Sequence, residues 1–295
     1  MLQIDKMHPA PSSAWTRRLG AWLLCWLTPW TVGAEEQGVS RWAVYYAADA
    51  PAEAFLDYDL VVFDADAHPP LAPLIERGVQ LLGYVSVGEV ASYRRYFKAV
   101  QEQGLLLQEN TNWPGSFAVD LRDPRWTTRL VEEIVPAILQ QGFHGIFIDT
   151  LDPPLHLEAT SPNKFKGMRA GAVKLIESLR RRFPGMVIMV NRGYQILPDI
   201  APSIDIALGE SVRTTYDFGA KRYQRVSDAD YEWQVQWLRK AKAAAPCLQL
   251  MTLDYWNPTD AAGIAAIYEF QRSQGFVPYV ATIELNRLVS EPVPP

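Results

Sequence analysis

Eight times between Trp42 and Leu285 a short run of apolar, β-branched or aromatic residues gives way to a polar turn, often followed by a helical stretch. The runs are WAVYYA (42–47), LVVFDA (60–65), QLLGYVSV (80–87), GIFIDT (145–150), MVIMVN (186–191), IDIALGE (204–210), LQLMTLDY (248–255) and VPYVATIEL (277–285). They are apolar throughout rather than alternating, which marks strands covered on both faces, as in a parallel sheet with helices packed outside. Helical patterns fill 124–142, 163–185, 227–246 and 259–275, and Gly142, Pro184-Gly185, Pro246 and Gly275 stop them. Eight such units in about 260 residues predict an α/β chain folded as a single-domain (β/α)8 TIM barrel over residues 35–295. The rival, a doubly wound open sheet, usually carries a glycine-rich phosphate loop after its first strand, and none follows here.

The first 34 residues read differently. Arg17 and Arg18 precede the apolar stretch LGAWLLCWLTPW, and Val32 to Ala34 supply the small residues that a signal peptidase needs. The stretch is short of the about 20 residues that a membrane anchor takes. Residues 1–34 are therefore expected to be a signal peptide, with an uncleaved anchor as the alternative, and the product to be periplasmic or secreted. Leu24 before Cys25 argues against a lipoprotein box. Losing Lys6, Arg17, Arg18 and Asp5 with the signal takes the net charge from −5 to −7. An acidic surface argues against a nucleic-acid partner and suits a neutral or cationic one. The remaining Cys247 has no partner for an internal disulfide, and no later run is apolar enough to span a membrane.

A barrel of this class does its chemistry at the C-terminal ends of its strands. Those ends carry Tyr45, Tyr46 and Asp49; Asp64 and Asp66; Ser86 and Glu89; Asp149 and Asp152; Asn191 and Arg192; Glu210; Asp254 and Tyr255; and Glu284. A core needs none of them, and carboxyls converging on one mouth shift one another's pKa values. Asp49, Asp66 and Asp152 also fit as helix caps, and Glu89 fits as an ion-pair partner for Arg94 or Arg95. Asp149 and Glu210 each directly close an apolar run, and are the candidate catalytic pair. Two carboxyls flanking a sugar are what a glycosidase uses, and the nearby Tyr84, Trp113, Tyr194, Tyr216, Tyr255 and Trp256 offer faces for sugar rings.

Other chemistries fit poorly. His68, His144 and His156 form no close-spaced ligand pair, so neither metal nor cofactor is expected. No G-x-S-x-G elbow is present for a serine hydrolase. Chitinase-like barrels place a glutamate two residues beyond the fourth strand's aspartate, where this chain has Leu151.

Four segments, LLGYVSVGEVASYRRYF (81–97), GFHGIFIDTLD (142–152), VNRGY (190–194) and IALGES (206–211), together resemble the glycoside hydrolase family 114 barrels, the endo-α-1,4-polygalactosaminidase-like proteins. The resemblance implies an endo-acting hydrolase of α-1,4-linked galactosamine-rich exopolysaccharide. It implies Asp149 as nucleophile and Glu210 as acid/base, with Tyr45, Asp64, Tyr84, Ser86 and Glu89 lining the sugar site. Asn191, Arg192, Tyr216, Asp254 and Tyr255, from the other strand ends and loops, complete the expected substrate-binding set. Glu89 is the neighbour expected to raise the acid's pKa. A carbohydrate-binding barrel without turnover, and a glycosidase of another linkage, remain the alternatives.

Overall fold

The computed structural model describes residues 38–292, and the expected signal segment lies outside them. Eight parallel strands form one sheet: β1 (Trp42–Tyr45), β2 (Leu60–Asp64), β3 (Gln80–Ser86), β4 (Gly145–Asp149), β5 (Val187–Asn191), β6 (Ile206–Glu210), β7 (Gln249–Tyr255) and β8 (Val277–Ala281). Their spatial order is their chain order, and flanking helices make the (β/α)8 barrel that the repeats predict. The barrel is nearly closed. At the seam between β1 and β8 the Trp42 indole donates to the Val277 carbonyl at 3.0 Å, and the Tyr46 amide donates to that of Leu285 at 2.7 Å.

All four predicted helices are present, with two departures. The pattern at 124–142 becomes Pro124–Arg129, a π-turn at Leu130–Ile134, then Val135–Leu139. Pro136 has no N–H to give, and a π-turn just upstream absorbs the missing bond. The pattern at 163–185 splits into Pro162–Phe165 and Met168–Arg182, because Gly167 turns left-handed at φ +99°. Glu158 explains the restart, since its carboxylate accepts the Gly167 and Arg169 amides at 2.8 and 2.6 Å and satisfies donors that a helix start leaves open.

Two excursions leave the C-terminal mouth. After β3 the segments Glu89–Ala91, Leu106–Glu109 and Ser116–Val119 form a three-stranded antiparallel sheet. After β6 the hairpin of Thr214–Asp217 and Arg222–Arg225 rises. Among the described residues, no helix is long and apolar enough to cross a membrane.

Candidate active site

Alternate side chains along a strand face opposite ways, and the ladder register aligns those facing the barrel axis. Asp64 pairs with Tyr84, and Ser86 with Asp149. The top of the axis therefore collects Tyr46, Asp64, Tyr84, Asp149, Asn191, Glu210 and Tyr255. Within that ring one hydrogen-bond chain crosses five neighbouring strands. Tyr84 Oη donates to Asp149 Oδ2 at 3.0 Å, and Tyr255 Oη donates to Glu210 Oε1 at 2.5 Å. Between them Asn191 Nδ2 gives one hydrogen to Asp149 Oδ1 at 3.0 Å and the other to Glu210 Oε2 at 2.6 Å. Every oxygen of both carboxyls thus holds a donor, while both side chains stay half-buried and within reach of a substrate.

Burial, and then the charge of Glu210, push Asp149 up to about 6, while the Thr150 amide, Asn191 and Tyr84 pull it back. Because Asp149 interacts with Glu210, that value describes loss of a proton from the pair and not from an isolated side chain. The phenols stay protonated. Burial first, then the charges of Asp149 and Glu210 on Tyr46 and of Asp149 on Tyr84, hold both well above the usual range, and Glu210 does most of this for Tyr255 after burial.

The backbone just past the pair is strained. Thr150, Arg192 and Ser211 directly follow Asp149, Asn191 and Glu210, and have φ of +65°, +55° and +55°. For a β-branched threonine this is a genuine outlier, and such strain persists only where surrounding contacts over-determine it. Here the Gly88 amide donates to Thr150 Oγ1 at 3.1 Å, and Ser86 Oγ lies 2.6 Å from the same atom. Gly88 lies so close that a Cβ on it would sit 1.7 Å from the Thr150 carbonyl oxygen. The Arg192 and Ser211 amides donate to the Leu208 and Leu253 carbonyls at 2.9 and 2.8 Å, which fixes the other two turns.

The structure brings together Asp64, Tyr84, Asn191 and Tyr255 around Asp149 and Glu210, but it places other expected residues elsewhere. Tyr45 pairs with Phe63 and packs its ring on Phe55 and Phe63, outside the barrel wall, where its hydroxyl donates to Asp49. The cleft-facing residue is Tyr46, whose ring meets Tyr84 at 5.1 Å. The ladder register decides this, since Tyr45 pairs with Phe63 and leaves Tyr46 on the face of Asp64. Glu89, 4% exposed, pairs with neither Arg94 nor Arg95; it accepts from Asn110 and Ser116, each at 2.8 Å. After burial, the neighbour whose charge raises Asp149 is Glu210.

Arg94 instead forks onto Asp64, at 3.1 and 2.8 Å, and onto Asp66, with its guanidinium beside the Tyr84 ring. Asp254 is fully buried on the outer face of β7, where it accepts the Arg213 and Thr214 amides and Gln271 Nε2. Arg192 turns to Asp152 at 2.8 Å, and Ser86 donates to the Glu89 carbonyl at 2.7 Å. Tyr216 stands in the hairpin after β6 against Phe218 and Tyr223.

Comparison with known proteins agrees with this geometry. The family model for glycoside-hydrolase family GH114 matches residues 28–292. An uncharacterized protein of Deinococcus radiodurans is 29% identical over 249 residues, 79% of this chain and 75% of that one. The glycoside hydrolase domain of PelA from Pseudomonas aeruginosa superposes with a TM-score of 0.74 at 27% identity, over 86% of this chain and 99% of that one. Aspergillus fumigatus Ega3, solved in complex with galactosamine, shares the fold at 14% identity with a TM-score of 0.65, over 88% of this chain and 98% of that one. With its carboxyl pair at the barrel mouth, this chain is a glycoside hydrolase and belongs to glycoside-hydrolase family GH114.

Proposed function

We propose that the protein cleaves α-1,4-linked galactosamine-rich exopolysaccharide internally, with retention of configuration and without a cofactor. The observation that carries the mechanism is the shared Asn191 donor. Bonds of 3.0 and 2.6 Å from one nitrogen hold the facing oxygens of the pair within about 5.6 Å, which favours the ~5–5.5 Å of a retaining pair over the ~6.5–9.5 Å of an inverting one. In the first step Asp149 attacks C1 while Glu210 gives its proton to the leaving glycosidic oxygen as the C1–O bond breaks. In the second, water attacks C1, Glu210 takes the water's proton, and the bond to Asp149 breaks. Tyr84 and Tyr255 orient the pair from either side.

The substrate class draws support from family membership and from the galactosamine bound by Ega3. Asp64, Asp66 and Asp152 close or follow β2 and β4 at the same end of the barrel, with Arg94 and Arg192 as counter-charges. Such a mouth suits a partly deacetylated, cationic polymer, whose attraction salt screens over about 10 Å at 0.1 M. The N-terminal segment read as a signal would deliver the enzyme to the periplasm or beyond, where such a polymer lies. The test is reducing-end release from an α-1,4-galactosamine polymer, beside Asp149→Asn and Glu210→Gln. Release lost in both variants supports the reading. Release by all three forms rejects the pair, and binding without release by any form rejects turnover.

A further inference from the structure

Two buried carboxylates that the catalytic chain does not use share a task. Glu89 ties Asn110 to Ser116, the two ends of the turn in the excursion after β3. That turn is tightened by the Trp113 amide donating to the Asn110 carbonyl and the Ser116 amide donating to that of Trp113, at 3.1 and 3.0 Å. Asp254 holds the Arg213 and Thr214 amides at 2.6 and 2.8 Å, at the root of the hairpin after β6. Each anchored loop carries an exposed aromatic at its tip, Trp113 and Phe218, both 59% exposed. The two tips meet edge to face with ring centroids 5.9 Å apart, and Tyr216 backs Phe218 at 5.2 Å. Because β4 and β5 lie between β3 and β6, this contact reaches over the side of the mouth that carries Asp149 and Asn191.

Large apolar side chains left in water forfeit burial, and a cluster of them from two separate loops marks a binding surface. A pyranose has an apolar C–H face that an indole or phenyl ring can cover. Anchoring each loop by a buried, hydrogen-bonded carboxylate lowers the ordering cost on binding. We propose that Trp113 and Phe218 form a clasp that binds a sugar ring of the polymer beyond the point of cleavage, and so favours long chains over short ones. This rests on the glycosidase reading for the identity of the sugar.

Binding, measured by titration calorimetry apart from turnover, tests the clasp even if hydrolysis fails. The probes are galactosamine and an α-1,4-galactosamine hexasaccharide, against wild type, Trp113→Ala and Phe218→Ala in the full chain. The expected loss grows with length: about tenfold or more in hexasaccharide affinity, under about twofold for the monosaccharide. Trp113→Tyr should regain most of it, which a merely structural role would not predict. Trp233→Ala, which removes an exposed aromatic on the helix Asp228–Ala244, should change nothing. Unchanged hexasaccharide affinity in both clasp variants, or an equal loss for both sugars, would overturn the proposal.

Discussion

Tyr45 and Tyr46 are consecutive in the chain, yet one packs outside the barrel wall and the other faces the catalytic carboxyls. Tyr46→Ala should therefore lower kcat/KM by about tenfold, the loss of one well-placed contact. Tyr45→Phe should stay within about twofold of wild type, because its lost bond to Asp49 lies behind the wall. Kinetics on one polymer substrate for both variants checks the contrast; the reverse order would mean that the strand's facing is misread.

The carboxyl pair sets a pH dependence. Asp149 lies above the ordinary 3.8, at about 6, so the pair keeps its last proton until the pH passes about 6. Catalysis needs that proton, and kcat/KM should fall as pH rises through that value. Glu89→Gln should leave this limb in place, since Glu89 serves Asn110 and Ser116. A limb displaced by Glu89→Gln would restore that residue to the electrostatics of the site.

Among the described residues, Asn191 is the one donor common to both carboxyls. Asn191→Ala should lower kcat about 100-fold, comparable to loss of a preorganised electrostatic contact. Its amide also favours the ionised form of Asp149, so the basic limb should move above 6 in the variant. A pH–rate profile reads both effects, and a fall in kcat with an unmoved limb would make Asn191 a spacer only.

Asp254 carries a stability prediction. Burial, opposed by Gln271 and the Thr214 and Arg213 amides, raises it from 3.8 to about 6. A group raised on folding contributes stability that is present below its unfolded value and lost as pH rises through its folded one. Relative to wild type, Asp254→Asn should therefore gain between pH 4 and pH 7, by at most about 3 kcal/mol. Gln271 can turn to receive the new amide, since its Oε1 is buried without a partner. Urea midpoints across that range check it; a gain that shrinks with pH would reverse the assigned shift.

The roles within the pair can be separated by leaving group. Glu210→Gln should lose about 1,000-fold or more on the polymer yet recover much of it on an aryl glycoside whose phenolate leaves without a proton. Asp149→Asn should recover nothing there. Rescue of Asp149→Asn instead would exchange the two assignments.

The barrel was legible because burial on both faces leaves strands such as GIFID apolar end to end, and Asp149 and Glu210 stood out by closing such runs. Facing was harder to see. Tyr45 against Tyr46, and Asp254 against Tyr255, each turn on one step of register that depends on where neighbouring strands begin. The fates of Glu89 and Asp254 depend on excursions whose pairing is non-local: nothing in SVGE announces Asn110 and Ser116 as partners.

The left-handed backbone at Thr150, Arg192 and Ser211 has a consequence for heat tolerance. Selection for a hardier barrel would be drawn to Thr150→Gly, because glycine removes a penalty of about 1–3 kcal/mol that the threonine carries there. The same exchange would free Asp149 to wander. Ruggedness and turnover would then pull against each other at that one peptide unit, and a lineage pressed for one would give up some of the other.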